Sequence, residues 1–264
     1  MRLIFEVIMY FFIYGFLGWV CESIYCSIGN NKVINRGFLS GPICPIYGFG
    51  ALIIIFFLKR YEDNIIAVFI YGMIVTSVLE YITGFLLETL FHTKWWDYSK
   101  KKTNIKGRVC LKNSILFGIM SVVLINVIHK NIYNLVVYIP MLLLIFLVIN
   151  NFTWFFIDLS FTVVAINKLN HKLNWLDDIV VELGKLNIYL DKFDDENIKK
   201  LLKSLKYKEG IKGDRSQEIM KKLSTIKSKS IGQRRIIKAF PNMKHKYNHD
   251  RLINFKQIIK EKRK

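Results

Sequence analysis

The stretch "EYITGFLLETLFHTKWWDYSKKKTNIKGR", residues 80–108, runs from an apolar segment carrying Glu80 and Glu88 straight into paired tryptophans, an aspartate and a cluster of lysines. An ionisable residue inside a membrane span costs on the order of 3 kcal/mol on insertion scales, so lipid is the wrong neighbour for either carboxylate. Thr76, Glu80, Gly84 and Glu88 recur at a spacing of four, which on a helix sets them nearly on one face. That face is expected to point into a bundle of helices. The fold class that follows is all-α: a polytopic membrane protein.

The rest of the chain agrees. Its 264 residues include 39 Lys plus Arg against 20 Asp plus Glu, yet the mean hydropathy is +0.28, so apolar and basic residues are segregated. Residues 1–167 hold 13 basic and 8 acidic residues, and residues 168–264 hold 26 and 12, which places +14 of the +19 net charge in the second part. The division predicts a transmembrane domain over 1–167 and a basic, partly helical cytoplasmic C-terminal tail over 168–264.

Apolar runs near the length of about 20 residues needed to cross a bilayer occur at 3–28, 43–58, 64–91, 114–128 and 141–167. About five transmembrane helices are therefore expected, with 132–140 as an interfacial lead-in to the fifth. The first run lacks a basic start and a small-residue cleavage site, and Glu22 closes it, which reads as an uncleaved helix. Five spans with the N-terminus outside put Lys32, Arg36, Lys94, Lys100, Lys101, Lys102, Lys106, Arg108 and Lys112 on the cytoplasmic side with the tail, leaving Arg2, Lys59, Arg60 and Lys130 outside. That asymmetry satisfies the positive-inside rule for a multi-pass protein of the cell membrane.

Polar residues in the spans supply the candidate site. Glu22 follows Gly15 and Gly18, small residues that let helices approach closely. Arg36 opens "NRGFLSGPICPIYGFG", residues 35–50, whose six glycines and prolines prevent a regular helix throughout. Irregular backbone at membrane depth is tolerated only where protein buries it or it lines a cavity. A carboxylate and an Arg pair bidentately, so Arg36 with Glu22 or Glu88 is the sharpest constellation in the sequence. The expected polar site comprises Glu22, Arg36, Glu80, Glu88, Trp96, Asp97, Tyr98 and Asn104, with Asp158 in the fifth span ranked below them as a group that completes the site or closes a helix pair through Ser160 or Thr162. Cys21, Cys26, Cys44 and Cys110 show no metal-ligand spacing, so neither a metal nor another cofactor is expected.

In the tail, Leu176, Ile179, Val180, Leu183, Leu186, Leu190 and Phe193 fall at helical spacing over 175–193, and 213–264 carries 16 basic against 4 acidic residues. Such an arm suits anionic membrane lipid or a partner, either a separate ATPase or another membrane subunit. No nucleic-acid motif accompanies it, which sets nucleic acid aside.

"GFLGWVCE" (15–22), "NRGFLSGPICPIYG" (35–48), "LEYITGFLLETLFHTKWWDYS" (79–99) and "NIKGRVCLKNSILFG" (104–118) resemble successive blocks of the CmpB/TMEM229 family of type IV ABC-transporter permeases. "RRIIKAFPNMKHKY" (234–247) is similar to the Phe-Pro block near the C-terminus of bacterial members. The resemblance implies substrate movement powered by a separate ATPase. The chain itself has no GxxxxGK[ST] phosphate loop and so no ATPase site of that kind. Three functions follow: a permease-like transporter component with an inner-facing polar site, a non-catalytic membrane scaffold organised by the tail, and an intramembrane lipid-modifying enzyme using a Glu as base and Arg36 on a phosphate.

Overall fold

A computed structural model describes residues 1–30, 33–185 and 231–261, together with 221, 222 and 225. Among the described residues, four helices are long and apolar enough to cross a membrane: α1 (Arg2–Asn30), α3 (Ile65–Phe91), the run from α4 (Leu111–Val123) through a π turn (Leu124–Ile128) into α5 (His129–Val137), and α6 (Met141–Lys185). The protein is thus all-α and multi-pass.

The second expected span, 43–58, departs from the expectation. Helix α2 covers only Pro45–Leu58, 14 residues, about 21 Å at 1.5 Å per residue against a hydrocarbon core of about 30 Å. Pro45 sits at its first turn, where a missing N–H costs nothing. Upstream, the glycines and prolines of 37–44 keep the chain irregular. This segment turns back along α1 until the Cys44 amide donates to the Gly15 carbonyl at 2.9 Å, halfway down that helix. Residues 132–137 are also corrected: they do not lead into the next helix but finish the α4–α5 span, and Pro140 stands before α6. The separate helix expected over 175–193 is instead the continuation of α6, which passes 167 without a break and buries Leu176 and Ile179. Leu186, Leu190 and Phe193 lie outside the described residues.

Two packed cores hold the bundle. One gathers Tyr10, Tyr14, Leu58, Val68, Ile125, Val136 and Leu144 at the end where α1 begins. There Arg2 donates to the carbonyls of Val137 and Ile139. Close approach depends on glycine: a Cβ on Gly48 would lie 2.6 Å from the Phe11 carbonyl oxygen in α1, and one on Gly72 would lie 2.5 Å from the Ser121 side chain in α4.

The other core lies at the opposite end, and the C-terminal segment builds much of it. Helix α7 (Ile231–Ala239) and helix α8 (His249–Glu261) flank a short strand β4 (Lys244–His245), which pairs antiparallel with β1 (Thr93–Lys94) just after α3. Ile236, Phe240, Met243, Leu252 and Phe255 are buried with Phe91, Trp95, Ile166, Leu169 and Leu173. Among the described residues, then, 231–261 is not a solvated arm but part of the end of the bundle. The loop between β1 and α4 forms a second hairpin, β2 (Asn104–Ile105) with β3 (Val109–Cys110), whose turn has Lys106 and Gly107 at φ 51° and 71°, the left-handed pair a tight hairpin uses.

Two outcomes test this architecture. Gly48→Ala drives a methyl against backbone that cannot yield, and is expected to destabilise the α1–α2 pair by about 1–3 kcal/mol, read from thermal unfolding in detergent. The second concerns Asp97, whose carboxylate meets the Lys244 ammonium at 2.5 Å. Burial pushes its carboxyl up, but the hydrogen bonds from Lys244 and Ser99 outweigh this and hold it down at about 2. A depressed carboxyl stabilises docking fully above its undocked value and loses that contribution as pH falls through the docked one. Amide exchange at Lys246, whose N–H donates to the His92 carbonyl at 2.8 Å, should therefore rise as pH drops from about 4 to about 2. Asp97→Asn is expected to abolish that dependence.

Candidate functional site

Between the cores lies a cavity of about 720 Å³. Its walls come from α1, the returning segment with α2, α3, α4 and α6, and its mouth is at the end where the C-terminal segment docks, with Phe240 and Asn242 among the lining residues. Six of the expected site residues line it: Glu22, Arg36, Glu80, Trp96, Asp97 and Tyr98. Glu88, Asn104 and Asp158 do not.

Glu80 lies midway along α3 and is 5% exposed. The Tyr98 phenol neighbours it, and Asn113 in turn donates to the Tyr98 hydroxyl at 2.7 Å. Burial, then the negative charges of Glu80 and Glu22, push the Tyr98 phenol up, which keeps it a donor. The second carboxylate oxygen of Glu80, Oε2, has no hydrogen-bond partner. Across the cavity, Glu22 accepts from the Tyr47 hydroxyl at 3.0 Å and faces Arg36 Nε at 3.6 Å. The expected Arg36–Glu22 pairing is present but loose, because Arg36 divides its guanidinium: it donates to the Ala239 carbonyl and lies 4.5 Å over the Phe240 ring.

Glu88 does not meet Arg36. Its partner is Arg108, whose Nη2 and Nε lie 2.6 and 3.1 Å from Oε2, with Lys94 at 4.0 Å. Arg108 also contacts the Tyr81 hydroxyl, and its carbonyl accepts from Trp96 Nε1 at 2.8 Å. This ion pair braces the 92–110 loop against α3 outside the cavity. Asn104 serves the same loop, donating to the Lys101 carbonyl and accepting from the Gly107 amide at 2.9 Å.

Asp158 neither completes the polar site nor closes a helix pair through Ser160 or Thr162. Ser160 bonds back to Phe156 within its own helix. The Asp158 carboxylate instead accepts from the Ser40 and Gly41 amides at 3.0 and 2.7 Å. On the other side of that segment, Arg235 from α7 donates to the carbonyls of Gly37, Phe38 and Leu39. Burial lowers the Arg235 pKa, and the nearby Asp158 charge opposes this. Arg235 and Arg108 are the residues that sequence reasoning missed. Arg235 gave no local signal, since its partners lie nearly 200 positions away. Arg108 was visible only as one of seven basic residues in its loop. Among the described residues, no group of three or more His, Cys, Asp or Glu side chains is placed to hold a metal.

The Glu88–Arg108 pair is largely shielded on both sides, at 12% and 14% exposure, so removing one partner strands a largely buried charge. Arg108→Met is expected to cost about 3–5 kcal/mol, most of it recovered in the Glu88→Leu, Arg108→Met double variant. Unfolding midpoints of the two single variants and the double variant check this.

A sequence model of the family described as "Putative ABC-transporter type IV" matches residues 9–163. The matched region takes in the returning segment, α2, the glutamate-bearing α3, the 92–110 loop and the first half of α6. Neither the curated proteins nor the solved structures contain a match. With more than half of its length matched, including the six expected site residues that line the cavity around Glu80, the chain belongs to this CmpB family.

Proposed function

We propose that the protein is the permease-like component of a transporter, with the cavity around Glu80 as an inner-facing polar site. The observation that carries this reading is the combination of a half-length helix and a cavity. Discontinuous helices preceded by irregular backbone are a recurrent way of building binding sites near the bilayer midplane, and here the returning segment 33–44 and α2 form one wall around a buried carboxylate.

Orientation follows from charge. The end carrying the cavity mouth also carries Lys94, Lys100, Lys101, Lys102, Lys106, Arg108 and Lys112, and the far end only Arg2, Lys59, Arg60 and Lys130. The positive-inside rule then sets the mouth and the C-terminal segment in the cytoplasm and the N-terminus outside. The energy source is a separate ATPase subunit, docking on the cytoplasmic face formed by the 92–110 loop and the basic C-terminal region.

The test is a mild-detergent pull-down of the tagged chain from its native membrane, beside Glu80→Gln and a chain truncated before residue 231. The expected result is an ATPase that copurifies with wild type and with Glu80→Gln but not with the truncation. The Glu80→Gln strain should show the growth phenotype of a deletion despite intact assembly. Absence of any ATPase, or a Glu80→Gln strain indistinguishable from wild type, would sink the reading.

A further inference from the structure

The unsatisfied oxygen of Glu80 points to the class of ligand. The side chain is 95% buried, lines the cavity and leaves Oε2 without a partner, whereas buried polar groups are normally paired and cost free energy when they are not. The cations around the cavity do not serve it. Arg36 faces Glu22, the Ala239 carbonyl and the Phe240 ring, its Nε lacking a hydrogen bond, and Lys101 and Lys112 are exposed. With Glu22 also on the wall, an anion brings a further acceptor to a site that lacks a donor, and a ligand without a donor leaves Oε2 unmet.

Much of the remaining lining is apolar, interrupted by Thr76, Thr83, Ser121 and the polar residues near Tyr98. Along the α4 span the cavity runs from Asn113 to Ile128, about 22 Å of helix at 1.5 Å per residue. Away from the mouth, Ile54, Leu124 and Ile128 form its floor, with Phe155 and Leu159 on the α6 wall. Its volume of about 720 Å³ falls within the range of about 300–1,000 Å³ that holds drug-sized ligands.

We propose that the cavity binds a monocationic amphiphile, its protonated amine on Glu80 and its hydrocarbon chain along the floor toward Ile128. The amine supplies donors and positive charge to Oε2, and the chain covers wall that the protein leaves unfilled. The proposal rests on the cavity being the transport site and names what that site accepts.

The test uses the purified full-length chain in dodecyl maltoside, titrated with octylammonium, methylammonium, octanol and octanoate, with thermal stabilisation as the readout. Octylammonium is expected to stabilise saturably, at least tenfold more tightly than octanol, with octanoate inert. Each buried methylene is worth about fourfold in affinity, so methylammonium should be weaker still. Glu80→Gln should lose at least tenfold for octylammonium and nothing for octanol. A second measurement needs no variant. A carbodiimide should couple bound octylamine to the Glu80 carboxyl as an amide, located by peptide mass spectrometry. Equal binding of octanol and octylammonium, wild-type affinity in Glu80→Gln, or coupling that spares Glu80 while marking other carboxyls would each overturn the proposal. Failure here with ATPase copurification intact removes the ligand class alone. Amine binding without any ATPase removes the transporter reading and keeps the pocket.

Discussion

Four consecutive peptide groups, spanning Gly37 to Gly41, meet two charged side chains brought from far along the chain: Arg235 takes three carbonyls, and Asp158 takes two amides. The constraint behind this is severe. An irregular backbone cannot satisfy itself as a helix does, and at membrane depth no water is there to help, so each group must find protein. Nearer α1 the same segment is served locally, with the Ile34 and Arg36 amides donating to Ser27 and Ser23 at 3.0 and 3.2 Å. Helix α2 can start halfway down the bundle because much of this segment is provided for by protein groups, and its start there leaves room for the cavity wall.

The arrangement also explains why a cluster of ionisable residues is tolerated without forming one connected site. Glu88 with Arg108 and Asp97 with Lys244 are matched pairs that fix the 92–110 loop to α3 and to β4. Each charge sits opposite a partner, and the loop they hold becomes one side of the cavity mouth. Glu80 stands apart from them, with its Oε2 left without a hydrogen-bond partner. Two carboxylates on one helix, Glu88 and Glu80, thus differ in whether their partners complete them.

Much of this was legible in residues 1–167. Apolar length marked four spans, and the Gly and Pro content of 35–50 marked the irregular segment. The spacing of Glu80 from Thr76 and Gly84 marked a stripe that faces inward. What stayed hidden had no periodic or local signature. Apolar content over 43–58 resembles a span whether or not its first turns are helical, so composition overcounted α2. Val136 lies in the last turn of α5 yet is fully buried beside Leu144, and sequence alone did not decide which helix owned 132–137. In the tail, the basic density of "RRIIKAFPNMKHKY" masked the apolar face formed by Ile236, Phe240 and Met243, which decides where the segment packs.

Arg235 also has a temporal meaning. It follows the carbonyls it serves by 196 to 198 residues, which at about 5–20 residues per second is roughly 10–40 s of synthesis. Throughout that interval α1, α3 and the α4–α5 span can insert, but the stretch between α1 and α2 lacks the donor for three of its carbonyls. The wall of the cavity is therefore among the last features to be completed. A ribosome that stops short of residue 235 leaves an inserted protein whose defect lies near its beginning.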